Sequence, residues 1–252
     1  MAYGLYISAE GASAQSTRLE HLSNNLANVN TPGFKRDLAV FQARYAEAEQ
    51  RGTVAPGTHA IDDVGGGVRV AGTKTDYSPG AVKATGLETD MAIRGDGFFK
   101  VRRGDQTLLT RAGNFLVDGT GRLQTQDGYS VLDADGSPIR LEPDGGPWHV
   151  NPEGTIQQGT NNYTLGLARP RSLGDLVKAG DNLFAPLAQT NAVPPEERQV
   201  MSGFLEQSGV NPTFEMMELI ETSRAFEANV NMVKNHDQML STLIEGVLKG
   251  QA

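Results

Sequence analysis

The chain contains no cysteine, which excludes disulfides, thiolate metal sites and cysteine nucleophiles at once. Aromatic residues make up only 6% of its 252 residues. There is no run of Lys or Arg, and the formal charge is −8. The basic face that a nucleic-acid binder needs is therefore missing, and nucleic acid is not an expected partner. No unbroken apolar run approaches the roughly 18 residues that a membrane span requires. The opening Met1–Ile7 has no basic residue, the first being Arg18. Neither membrane insertion nor a cleaved secretory signal is expected.

What is abundant is glycine, at 30 residues, a composition that suits a turn-rich β protein. From Val64 to Leu205 the pattern is one of short β-like runs: Met91-Ala92-Ile93, Phe98–Val101, Phe115–Val117, Ser130–Leu132, Ile139–Leu141 and Tyr163–Leu167. Turn signals divide them, among them Gly95-Asp96-Gly97, Asp118-Gly119, Asp127-Gly128 and Asp135-Gly136-Ser137-Pro138. Such spacing predicts an antiparallel sandwich or barrel.

The two ends differ in kind. From Leu5 to Val29 there is no proline, and small or apolar residues recur at Leu5, Ala9, Ala12, Ser16, Leu19, Leu22, Leu26 and Val29. These steps of three and four predict a helix with a narrow seam, stopped by Thr31-Pro32-Gly33. Near the other end, Asn211-Pro212 supplies an N-cap followed by proline at the first helical position. The seam then runs Met216, Leu219, Ser223, Phe226, Val230, Val233, Asp237, Leu240, Ile244 and Val247. That alternation of threes and fours is the strongest periodic signal in the chain. The expected fold is α+β, with a mainly antiparallel β domain inserted between terminal helices that pair as a coiled coil. The expected divisions are residues 1–40 with 206–252 as a discontinuous helical assembly domain, 41–72 as an extended linker, and 73–205 as the β-rich domain.

Fragments that invite an enzymatic reading fail on physical grounds. Gly11–Gln15 begins like a nucleophile elbow, but it lacks the final glycine and lies in a helix. Gly65-Gly66-Gly67 has no following Lys-Ser/Thr to cradle a phosphate. Asp133, Asp135, Gly136 and Glu142 fit a calcium-loop spacing, yet Val131 holds its first position and Pro138 interrupts it, which favours a β-turn. His21, His59, His149 and His236 show no ligand spacing, although the two helical ones could meet in space. No catalytic, cofactor-binding or metal-ligating residue is expected.

Ser23-Asn24-Asn25-Leu26-Ala27-Asn28-Val29-Asn30-Thr31-Pro32-Gly33-Phe34-Lys35 resembles the N-terminal signature of flagellar basal-body rod proteins, in the rod–hook axial family. Glu215-Met216 followed by Arg224-Ala225-Phe226-Glu227-Ala228-Asn229 resembles the matching C-terminal signature. Thr75–Gly80, Gly95–Phe99 and Thr110–Phe115 are similar to the start of that family's β domain. Two departures stand out: Phe226 replaces a frequent tyrosine, and Gly209 a usual asparagine.

The resemblance implies a non-enzymatic subunit without cofactors, exported by the flagellar type III apparatus and assembled helically in the periplasm as a hollow, torque-transmitting shaft. Terminal helices would form its inner layer and the β domain its outer one. Its partners would be further copies and neighbouring rod or hook proteins. The implied assembly residues are Asn24, Asn25, Leu26, Asn28, Thr31, Pro32, Gly33 and Phe34, then Glu215, Met216, Leu219, Arg224, Phe226, Asn229, Val230, Val233, Asp237, Leu240 and Ile244. Asp237-Gln238-Met239-Leu240 is more similar to the distal rod type, whereas the length favours the proximal type and is short for a hook subunit. The alternative outside the family is a secreted β-sandwich enzyme or ligand-binding module with helical ends.

Overall fold

The computed structural model describes residues 2–44, 67–143 and 145–249. Most of the stretch expected to be a linker, residues 45–66, lies outside the described residues, as does His59. An N-terminal helix, α1 (Ala2–Ala27), and a C-terminal helix, α2 (Pro212–Lys249), flank a central region of antiparallel strands. The architecture is α+β. The chain forms two compact units, the first comprising residues 1–27, 37–76 and 211–252 and the second 28–36 and 77–210. The sequence placed its divisions at residues 40, 72 and 205 instead.

In the first unit, Asn211 opens α2. Its side-chain oxygen accepts hydrogen bonds from the N–H groups of Thr213 and Phe214 at 3.1 and 3.3 Å, satisfying donors that a helix start leaves unpaired. Strand β1 (Asp37–Ala43) pairs with β2 (Val68–Thr75) as an antiparallel ribbon that runs back along α1. Its start bonds Asn25 through Asp37, and just past its end Arg44 pairs with Glu10. The lengths agree: seven extended steps cover about 23 Å, and the helix from Asn25 back to Glu10 rises about 22 Å. The ribbon therefore includes both described ends of the expected linker. It packs where it does because strand and helix rises match over this span.

In the second unit, β3 (Val82–Ala84) pairs with Phe204–Glu206, and β4 (Met91–Ile93) with Val200–Ser202. The central hairpin is β5 (Phe98–Arg103) with β6 (Gln106–Thr110). Among the described residues, nine strands form the sheet built around it. Alternation along this hairpin serves two cores, because successive side chains leave opposite faces. Phe99, Val101 and Leu108 enter the larger core with Phe115, Leu123, Val131, Ile156 and Leu165; Phe98 and Leu109 enter the smaller one with Leu176 and Phe184. Edge-to-face rings, Phe99 on Phe115 at 5.1 Å and Phe98 on Phe184 at 5.7 Å, fill the two centres. The acidic stretch weighed as a calcium loop is a turn: Asp133 N–H donates to Ser137 O, and Asp133 Oδ1 accepts from Ser137 N–H, both at 2.8 Å.

Phe99 is fully buried, and truncating such a ring removes contacts the surroundings cannot replace. Phe99→Ala is expected to lower stability by about 3–5 kcal/mol. A urea titration followed by the fluorescence of Trp148, which packs on the same core, measures this.

Candidate assembly interface

The antiparallel direction of the helix pair follows from its contacts. Space for a side chain at Gly4 is limited by His236, and at Gly11 by Asn229, each about 3.2 Å from where a Cβ would lie. Arg18 bridges to Glu218 at 3.4 Å, and the Asn25 amide reaches Glu215 at the same distance. Positions 4, 11, 18 and 25 of α1 are thus spaced by seven, and their partners on α2 are 236, 229, 218 and 215; the buried Thr222 stands midway between 229 and 215. Two glycines let the helices approach closely at one end, and polar side chains join them at the other. Ser8, Asn25, Glu215 and Thr222 are all buried.

The expected seam is rotated relative to this contact. Leu5, Ala12, Leu19 and Leu26 each stand one residue after the α1 positions that face α2. Met216, Ser223, Val230 and Asp237 each stand one residue after the facing positions of α2. One residue is about 100° around a helix. The periodicity identifies the helices correctly, but the contacts at 4, 11, 18 and 25 are made by small and polar residues, while of the expected seam Leu22 is buried and Leu219, Phe226 and Val233 are half-buried. Hydropathy cannot report a contact made by Gly, Asn, Thr and Glu.

The family-motif residues are consequently distributed over several environments. Asn25, Gly33, Phe34 and Glu215 are buried; Leu26, Asn28, Thr31, Pro32, Leu219, Phe226, Asn229, Val230 and Val233 are half-buried; Asn24, Met216, Arg224, Asp237, Leu240 and Ile244 are exposed. Met217 is 62% exposed, Ile220 55% and Leu243 49%. Past His236, α2 continues for 13 residues, about 20 Å, beyond its contact with Gly4. Val247 falls in this overhang, where its side chain lies outside the described residues. The same register keeps His21, which contacts Thr73 at 3.0 Å, far from His236.

Asn25 is the node of the first unit. Its Nδ2 donates to the Asp37 carbonyl and its Oδ1 accepts from the Asp37 N–H, both at 2.9 Å. One amide side chain thereby satisfies both backbone groups of the first ribbon residue, groups that are costly to bury unpaired.

Asn28–Arg36 belong to the second unit, where they meet a buried ionic cluster that the sequence analysis did not anticipate. Glu206, 2% exposed, accepts from Lys35 Nζ at 2.7 Å and Gly80 N–H at 2.9 Å on one oxygen, and from Arg111 at 3.2 Å on the other. Arg111 also donates to the carbonyls of Ile93 and Gly95 and stacks on Phe98 at 5.2 Å. Burial pulls the Arg111 pKa below its ordinary value, and the Glu206 carboxylate opposes that shift. Lys35 and Arg111 both lie in quoted motifs, but Glu206 is 171 residues from Lys35, and no local pattern marks the pairing.

Among the described residues no group of three His, Asp or Glu could hold a metal ion. A groove of about 220 Å³ beside α1, lined in part by Arg18, His21, Leu38 and Glu218, contains no nucleophile paired with a base. Its arginine is bridged to Glu218 and its histidine to Thr73.

The chain is α+β, its terminal helices pair, and several large apolar side chains of α2 are exposed. Three family models match it: a flagella basal body rod protein model over residues 5–35, a flagellar hook protein FlgE/F/G D1 domain model over 92–158, and a flagellar basal body rod FlgEFG C-terminal model over 201–245. The chain is 31% identical to the flagellar basal-body rod protein FlgG of Bacillus subtilis, over 97% of this chain and 98% of that one. It is 33% identical to FlgF of Caulobacter vibrioides, over 96% of each, and 34% identical to FlgF of Rhizobium meliloti, over 97% and 98%. The chain belongs to the flagellar basal-body rod protein family, which is structural and not enzymatic. No helix among the described residues is long and apolar enough to cross a membrane.

Two substitutions probe the helix pair. Asn25→Asp removes the amide donor and sets a second carboxylate beside Glu215, so amide exchange should accelerate in residues 19–27 and 213–222, more than in Asn25→Ala. Gly11→Leu should separate the helices around Asn229, seen as a loss of exchange protection in residues 5–15, with partial recovery in Gly11→Leu/Asn229→Ala.

Proposed function

We propose that this chain is a subunit of the bacterial flagellar rod that polymerises through the outer face of its terminal helix pair. One observation carries this reading. Along α2, Met216, Ile220, Met239, Leu240, Leu243 and Ile244 are all exposed, the last four of them beyond the contact of His236 with Gly4. Large apolar side chains left exposed in such number on one helix mark an interaction surface. Copies joined by different patches on each partner form an open helical filament, the geometry a shaft requires. Leu219, Phe226, Val230 and Val233, half-buried in the single chain, would be completed by the same neighbours as a coiled-coil layer. Asp237, exposed in the single chain, would fix register by pairing with a cation on a neighbouring copy.

In this reading the residues 1–40 and 206–252 act as the assembly domain and 73–205 as its β-rich partner. The subunit is carried by the flagellar type III export apparatus without a cleaved signal peptide. It is placed in the periplasmic part of the rod, where it contacts other rod and hook proteins.

Leu240→Asp tests the proposal. A second buried charge near Asp237 in an assembled seam costs several kcal/mol, about 3–5 where it stays unpaired. Filament formation, followed by sedimentation and electron microscopy, should be abolished while Trp148 fluorescence shows the β core intact. Filaments of normal yield from this variant would refute the assignment.

A further inference from the structure

Residues 28–36 cross the second unit as a strap that buries the Phe34 ring and makes a dense set of polar contacts. Gly33 N–H donates to Glu206 O at 2.8 Å, and Gly209 N–H donates to Phe34 O at 2.9 Å. Lys35 Nζ donates to Glu206 and, at 2.8 Å, to Ser78 O. The Lys178 ammonium donates to Lys35 O at 2.6 Å and lies 4.5 Å from the centre of the Phe34 ring. Asn182 donates to Pro32 O at 2.7 Å. No strap residue belongs to either hydrophobic core.

The strap binds to the ribbon by which the chain enters and leaves this unit. That ribbon, β3 with Phe204–Glu206, also contributes nothing to the cores, and Glu206 supplies its one buried side chain. An isolated two-stranded ribbon is marginal in water. Here its buried carboxylate is satisfied by Gly80, by Arg111 and, at the shortest distance, by the strap's Lys35. Removing one partner leaves buried charge uncompensated. The cores, by contrast, close without either element.

We propose that residues 28–36 are a removable strap: drawn out from the N-terminal side, they release the ribbon of Val82–Ala84 with Phe204–Glu206, while the two cores of the β unit stay folded. The device couples the entry and exit of the unit to whatever grips the N-terminal segment. It does not depend on how copies associate.

Hydrogen exchange on the full-length monomer tests it with two variants that unseat the strap by different means. Lys35→Met removes the ammonium at nearly constant length. Gly33→Ala leaves the charges intact but sets a Cβ 2.5 Å from the Arg111 carbonyl carbon, at a φ of +67° that disfavours side chains. Each should accelerate exchange in residues 80–84 and 204–209 by at least tenfold, with residues 98–110 and Trp148 fluorescence unchanged. Unaltered exchange in the ribbon of both variants would overturn the proposal. So would equal acceleration in residues 98–110, since the strap would then be an inseparable part of the core.

Discussion

The first unit depends on what happens to the backbone of Asp37. Asp37 stands opposite Thr75 in the ribbon, and its N–H and C=O are bonded by a side chain of the helix. The Asn25 side chain supplies both partners and reaches Glu215 on the second helix. A carboxylate could offer only acceptors and a hydroxyl only one donor, so an amide is the group that fits. From that node the ribbon and α1 diverge from a common origin at matched rises, and α2 is set in register by residues seven apart.

That register is achieved with little of the chain's hydrophobicity. Glycine, asparagine, histidine, arginine and glutamate make the contacts that align α1 with α2, and such residues specify alignment better than they supply affinity. The larger apolar side chains are thereby left for other uses. The β unit shows the complementary economy. Its hairpin β5–β6 is covered on both faces and supports two cores, whereas its entrance and exit are joined to the preceding segment through charge and hydrogen bonds.

Periodicity and turn chemistry made much of this legible. The N-cap at Asn211, the two helices and the antiparallel β region all follow from local rules, although the first helix, expected to run to Val29, ends at Ala27. The rotation of the helix contact by one residue did not, because a hydrophobic stripe reports where apolar atoms are and not which neighbour they face. The cluster of Lys35, Arg111 and Glu206 was equally hidden. Each residue reads as an ordinary charge in its own segment, and only folding brings together groups from three distant places. Asn25 sat inside a recognised motif, but its partner Asp37 carries no signal beyond being polar.

The unequal lengths of the two helices give any row of these molecules a direction. Where α2 outruns α1, a single greasy tongue continues with no further turn of α1 beside it. If each copy sheathes the tongue of the next, one extremity of the row always bears a bare tongue and the other an empty berth. The two extremities are then chemically different surfaces, and growth at one need not resemble growth at the other.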